Sequence, residues 1–189
     1  MIKRLLCIVC LVCTPMAYAA EYVIDTQGTH AFIQFRIKHL GYSWLYGRFD
    51  RFEGSFNYDP KKPDESSAKV TIDMNSVDSN HAERDKHLRD ERFFDVAKFP
   101  KATFVSTSFK PSSDGQNGTL TGMLTLKGIT KEIVIDVERV GGGPDPWGGQ
   151  RQGFTGKTEI RLKDFGINFD LGPASTTAEV LLDVEGVKK

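Results

Sequence analysis

The chain has 189 residues, and its 25 lysines and arginines are balanced by 25 aspartates and glutamates. This length fits a single domain with a real hydrophobic core, and the lack of a basic stripe or tail argues against nucleic acid as a partner. The 13 phenylalanines give such a domain a large apolar surface to bury.

The first 19 residues have the features of a secretory signal peptide. A short basic region precedes the apolar stretch "LLCIVCLVC" at 5–13, and Ala17-Tyr18-Ala19 matches a small-x-small cleavage site. The apolar stretch is too short to span a membrane, which takes about 20 apolar residues. We therefore predict cleavage between Ala19 and Ala20, export to the periplasm, and a mature domain of residues 20–189 without a transmembrane segment.

The cysteines Cys7, Cys10 and Cys13 all lie inside this predicted leader. Cys13 could instead anchor a lipoprotein, but Val12 stands where such a site needs a small residue. The mature domain is therefore expected to have no disulfide, no thiol nucleophile and no thiolate metal site. An exported chain without disulfides fits the bacterial periplasm, where bridges are permitted but not required.

Short runs rich in β-branched and aromatic residues recur between closely spaced turn signals. They predict strands at 22–26, 30–39, 44–58, 68–75, 102–110, 117–126, 131–141, 153–162 and 176–187. The long run at 44–58 is expected to bend or bulge at Gly47 and Gly54. Residues 117–126 and 131–141 predict a hairpin with a tight turn between them.

Strict alternation in residues 30–39 indicates a strand with one buried face. The apolar side of this strand consists of Ala31, Ile33, Phe35 and Ile37 and ends in His39. An aromatic run, Tyr42, Trp44 and Tyr46, follows and suits a groove for an apolar molecule. The apolar row fits either a packed core or the wall of a cavity, because a barrel of about eight strands is just wide enough for both. His39 is either a hydrogen-bonded residue at the barrel mouth or a polar anchor for a ligand.

Residues 79–100 break the β pattern and carry the helical signal. Asn80 is the predicted N-cap of a helix over 81–89. His81 and Asp85 share a face of that helix and could in principle bind a metal, but a solvated, salt-bridged helix face fits them better. Many short strands with one helix predict a β-barrel or sandwich rather than a βαβ fold.

Besides a cavity that binds an apolar molecule, two other classes of function stay open on the residues alone. An enzyme acting on a lipid or small apolar substrate would use His39, or His81 with Asp85. The sequence offers it no G-x-S-x-G turn and no recognisable activated nucleophile. A stress-response interaction module would have a closed core and would contact its partner through the helix.

Several long blocks resemble the YceI-like family of secreted proteins. They are "HAFIQFRIKHLGYSWLYGRF" at 30–49, "NHAERDKHLRDERFFDVAKFPKATFVST" at 80–107, "GMLTLKGITK" at 122–131, "DPWGGQRQGF" at 145–154 and "LKDFGI" at 162–167. The resemblance implies an all-β, lipocalin-like extended antiparallel β-barrel of about eight strands, with a short helix near residues 81–90. It further implies a periplasmic protein that binds a polyisoprenoid, an isoprenoid quinone or its precursor, or a similar long-chain lipid in a hydrophobic tunnel.

Strand alternation then predicts which side chains line that tunnel. They are Ile33, Phe35, Ile37, His39, Leu45, Phe49, Phe56, Ile72, Met74, Phe104, Leu124, Leu126, Ile133, Ile135, Phe154, Leu182 and Val184. His39 and Arg84 are expected near the ligand head group. No catalytic residue, metal or cofactor is expected beyond the bound lipid. The edge strands of an incompletely closed barrel leave a homodimer open.

Overall fold

The structure, a computed structural model, describes residues 20–115, 117–169 and 172–189. The predicted leader, residues 1–19, lies outside these described residues. The strands are β1 (Ala20–Ile24), β2 (Ala31–His39), β3 (Ser43–Phe49), β4 (Phe52–Tyr58), β5 (Ser67–Asp73), β6 (Val77–Asp78), β7 (Lys101–Pro111), β8 (Asn117–Leu126), β9 (Ile129–Pro144), β10 (Gln150–Arg161) and β11 (Thr177–Lys188). Helix α1 (Ala82–Arg89) follows β6, and the 3₁₀ turns are Pro63–Glu65, Met74–Ser76, Leu162–Phe165 and Pro173–Ser175.

These strands form the predicted closed, eight-stranded antiparallel barrel. The eleven strand segments count as eight barrel strands because three pairs each form one long strand with a short break. These pairs are β1 with β2, β3 with β4, and β5 with β6. The register shows this directly, since β11 pairs with β2 along Glu179–Val184 and with β1 along Gly186–Lys188. Closure of β1 on β11 gives the barrel its tubular interior.

The prediction of one continuous strand over 44–58 is wrong. The chain breaks at Asp50 and Arg51, where the Asp50 amide donates to the Ser76 carbonyl at 3.1 Å and the Arg51 carbonyl accepts from the Asp73 amide at 3.0 Å. Gly47 and Gly54 lie in regular pairings without bulges. The register shifts instead lie between Ser106 and Ser108 and between Gly153 and Phe154.

The predicted hairpin is confirmed and has a two-residue turn. Lys127 and Gly128 both have positive φ, 50° and 74°. Such a pair is typical of the type I′ turn, whose twist matches that of antiparallel strands. This turn lies at the same end of the barrel as α1 and the β2–β3 turn, which we call the α1 end. The opposite end, with the β4–β5, β7–β8 and β9–β10 turns, is called the far end.

Helix α1 is confirmed, but its predicted N-cap is wrong. His81 is the N-cap, and its Nδ1 accepts a hydrogen bond from the Arg84 amide at 3.2 Å. Asn80 adopts a left-handed conformation with φ of 60°, and its amide donates to the Asp78 carboxylate at 2.8 Å. Asparagine tolerates that conformation because its short side chain can bond locally, and the helix therefore starts one residue later.

Buried side chains gather toward both ends of the barrel. A cluster toward the far end includes Tyr22, Phe56 and Tyr58, with the rings of Tyr22 and Phe56 stacked 5.1 Å apart. At the α1 end, Phe165 and Ile167 are almost fully buried. Many apolar side chains between them are only half-buried, although they face the interior. Within the described ranges, no helix is long and apolar enough to cross a membrane.

Candidate ligand-binding cavity

Half-buried and buried apolar side chains together surround a cavity of about 210 Å³. An apolar cavity of roughly 150 Å³ is already enough to hold a benzene-sized guest. Of the two states open to a barrel of this width, filled or hollow, this barrel is therefore partly hollow.

Most of the predicted tunnel residues line this cavity. They are Ile33, Phe35, Ile37, Phe49, Ile72, Met74, Phe104, Leu124, Leu126, Ile133, Ile135, Leu182 and Val184. Residues outside the strands complete the wall at the α1 end, and alternation did not predict them. They are Leu88 of α1, Phe93 and Phe94 after it, and Leu162 and Ile167 around the 3₁₀ turn.

Glycines opposite phenylalanines help to keep the cavity open. Phe35 pairs directly with Gly47, and its ring occupies the space that a Cβ of residue 47 would need. The ring of Phe104 lies in the same way over Gly122 of the neighbouring strand. Each ring can thus lie flat against the barrel wall instead of projecting into the interior.

The chemistry of the cavity wall is almost purely apolar. Thr158 is the one polar residue among the described residues that line the cavity. Its hydroxyl donates to the Val134 carbonyl at 2.8 Å, so the polar atom is paired and the methyl group is free to contact a guest. A wall of this kind can hold a hydrocarbon chain, because burying apolar surface is favourable and no buried polar group is left unpaired.

A second cavity of about 120 Å³ adjoins the first toward the far end. The two share part of their walls, including Ile24, Phe104 and Leu182. The predicted tunnel residues Phe56 and Phe154 line this second cavity. The hollow interior therefore comprises two adjacent spaces along the barrel.

The family model for a YceI-like domain matches residues 22–187, which is nearly the whole described chain. The chain belongs to the YceI-like family. It is 58% identical over 173 residues to a UPF0312 protein of Pseudomonas aeruginosa, covering 92% of this chain and 90% of that protein.

Two solved structures also match the fold of this chain. The crystal structure of the Campylobacter jejuni YCEI protein matches with a TM-score of 0.72 and 30% identity, over 81% of this chain and 90% of that one. A polyisoprenoid binding domain from Saccharophagus degradans matches with a TM-score of 0.63 and 18% identity, over 92% of this chain and 100% of that one. At that identity the second match shows a shared fold alone.

Two predicted tunnel residues of this YceI-like chain lie outside both cavities. His39 is exposed at the end of β2, beyond the rim of the barrel, where its carbonyl accepts from the Tyr42 amide at 2.9 Å. Leu45 pairs with Ile37 of β2, but on its other side β3 pairs with β6 only at Arg48 and Phe49. The hydrogen-bonded wall of the barrel therefore ends before Leu45.

The predicted aromatic groove is likewise not part of the cavities. The exposed fractions of Tyr42 and Tyr46 are 86% and 52%. The ring of Trp44 lies under the Arg36 guanidinium, 4.3 Å from its carbon. Alternation along β3 explains the difference, because Gly47 and Phe49 take the inner face and Trp44 and Tyr46 the outer one.

The polar residues around α1 are occupied by local contacts. The Arg84 guanidinium donates to the Ser79 hydroxyl at 2.8 Å and to its carbonyl at 2.5 Å, and Arg84 does not line either cavity. Asp85 is buried and accepts from the Ser79 amide at 2.8 Å. The predicted solvated helix face is therefore wrong for Asp85. His81 caps the helix through Nδ1 and Asp85 holds the preceding loop, so the two do not present the shared metal-binding face considered from the sequence.

A carboxylate and histidine cluster lies at the β9–β10 side of the far end and consists of Asp25, His30 and Glu185. A guanidinium already occupies it, since Arg151 donates to Asp25 at 2.7 Å and also to Glu185. The Arg151 hydrogen bond, supported by His30, lowers the pKa of Asp25 from 3.8 to about 2. A cation would have to displace this arginine, so the cluster is an ion-pair network that joins three chain segments.

Proposed function

We propose that this YceI-like protein is a periplasmic binding protein that carries a polyisoprenoid or similar long-chain lipid inside its barrel, without catalysing a reaction. The observation that carries the proposal is the apolar cavity of about 210 Å³, which adjoins a second space along the barrel. The Saccharophagus degradans domain of the same fold, described as polyisoprenoid binding, supports the choice of ligand class. The predicted signal peptide supports the periplasmic location.

The energetics of such binding follow from the apolar wall. Each CH₂-sized group moved from water into the cavity gains about 0.8 kcal/mol, so a five-carbon isoprene unit gains about 4 kcal/mol. Ordering a flexible chain and immobilising the ligand offset part of this gain. Affinity is therefore expected to rise with chain length until the available cavity space is full, and then to level off.

Catalysis is a poorer fit to the same geometry. The described residues that line the larger cavity include no aspartate, glutamate, histidine, lysine or arginine, the groups that most often move protons in enzymes. The residues considered for an enzyme, His39, His81 and Asp85, lie outside both cavities. A closed-core interaction module fits poorly as well, because the interior is hollow.

A chain-length series tests the proposal. Purified protein would be titrated with polyprenols of increasing length in competition with an environment-sensitive apolar probe. We expect displacement of the probe at decreasing concentrations as isoprene units are added, followed by a plateau. The proposal is overturned if neither the probe nor any polyprenol enters the protein.

A further inference from the structure

Six side chains belong to the walls of both cavities and therefore mark the level at which the two spaces meet, which we call the cavity boundary. They are Ile24, Val70, Phe104, Ile135, Leu182 and Val184. All six are apolar, so a hydrocarbon chain that crossed the boundary would bury apolar surface and leave no polar group of these side chains unpaired. What limits such a chain is the width that the side chains leave between them.

Strand β10 has a glycine at the cavity boundary. Its inward-facing positions follow one another two residues apart along the strand. Phe154 lines the second cavity, whereas Thr158 and Ile160 line the larger one. Gly156 lies between them, on the wall of the second cavity, and pairs with Leu182 of β11. The inward position that lacks a side chain is thus the position where the two cavities meet.

The missing side chain gives two neighbours room to lie against the barrel wall. A Cβ at residue 156 would be 3.1 Å from Ile135 Cγ2 and 3.2 Å from Leu182 Cδ1. Both distances are shorter than the usual contact between carbon atoms, about 3.5–4.0 Å. Ile135 and Leu182 therefore occupy the space that a side chain of residue 156 would need, and they leave the interior wider at the boundary. Phe104, whose ring covers Gly122, is placed in the same way.

We propose that Gly156 determines the length of the chain that the protein accepts, by keeping the boundary wide enough for a bound hydrocarbon chain to extend from one cavity into the other. The second cavity, of about 120 Å³ against about 210 Å³ for the larger one, then supplies roughly a third of the space for the ligand. The ligand class is accordingly a single hydrocarbon chain that is longer than the larger cavity holds by itself. This proposal rests on the proposed function and adds the residue that sets the preferred chain length.

Gly156→Val tests the proposal, because a branched side chain suits a strand but would push Ile135 and Leu182 toward the middle of the barrel. Prenyl alcohols of increasing length would be titrated into the wild type, Gly156→Val and a control, Gly143→Val. Gly143 lines neither cavity, and nothing lies within 4 Å of a Cβ there. The shortest alcohols need the larger cavity alone and are expected to bind all three proteins equally, which also shows that Gly156→Val is folded.

Long prenyl alcohols should distinguish the variant from the wild type. The affinity of the wild type and of Gly143→Val is expected to keep rising beyond the chain length at which that of Gly156→Val levels off. Expelling two CH₂-sized groups from the second cavity already lowers the affinity about tenfold, and we expect at least this loss for the longest alcohols. The double variant Gly156→Val/Leu182→Ala should recover their binding, because removing the Leu182 methyl groups compensates for the added volume.

The outcomes separate this proposal from the proposed function. If Gly156→Val levels off at the same chain length as the wild type, or loses affinity equally for short and long alcohols, the role of Gly156 is overturned while lipid binding stands. The role of Gly156 is also overturned if the double variant binds the longest alcohols no better than Gly156→Val does. Failure of the wild type to bind any prenyl alcohol overturns the proposed function and this proposal with it.

Discussion

Gly47→Ala should reduce the cavity by moving the Phe35 ring. An added Cβ would overlap that ring, which is the far end of a side chain and can rotate inward to relieve the clash. The ring then occupies space that a bound chain would use. If it displaces one to three carbon groups at about 0.8 kcal/mol each, the affinity for a long polyprenol falls about 4- to 50-fold.

The same substitution should change stability little. Overpacking costs about 1 kcal/mol where the ring has a cavity to move into, and replacing glycine in a strand returns about 0.5–1 kcal/mol. Gly143→Ala is the matched control, because nothing lies within 4 Å of a Cβ there. The assays are probe displacement by a long polyprenol and urea unfolding. An affinity of Gly47→Ala equal to that of the control would refute the idea that the ligand lies against Phe35.

Further predictions concern the polar contacts that hold the barrel and its α1 end. Because folding lowers the pKa of Asp25 from 3.8 to about 2, its ionised carboxylate stabilises the folded state. This contribution is complete above about pH 4 and is lost as the pH falls toward 2. Asp25→Asn should therefore lower the free energy of unfolding by about 1 to 2 kcal/mol at pH 7, and the difference from the wild type should vanish near pH 2. A difference that does not change with pH, or one equal to that of the exposed Asp136→Asn, would contradict the ion-pair network. Asp85→Ala should lower the free energy of unfolding in urea by about 2 to 3 kcal/mol, because it leaves the Ser79 amide and hydroxyl without their acceptor. A decrease below about 0.5 kcal/mol, the size expected at an exposed site, would show that Asp85 does not hold the loop before α1.

Strand positions and their inner faces were largely predictable from the sequence, because a period of two fixes which side chains face inward. Ile33, Phe35 and Ile37 follow this rule and line the cavity. The rule fails where the wall ends. His39 and Leu45 lie in phase with the inner face, but alternation does not reveal how far the neighbouring strands extend.

The rest of the cavity depends on contacts between distant segments. Phe93 and Phe94 follow α1 without any alternation, yet they line the cavity, and Phe94 lies 5.8 Å from Phe49 between ring centres. The adjacent phenylalanines in "RFFDV" are visible in the sequence, but outside a regular strand or helix they do not indicate which way their side chains point.

The most direct test of lipid binding is organic extraction of protein purified under gentle conditions, followed by mass spectrometry. We expect one long-chain isoprenoid or related lipid to copurify in an amount comparable to the protein, and to be reduced in Gly47→Ala but not in Gly143→Ala. Protein that is repeatedly free of lipid, and that takes up no long prenyl alcohol or quinone when these are supplied, would contradict the proposed function.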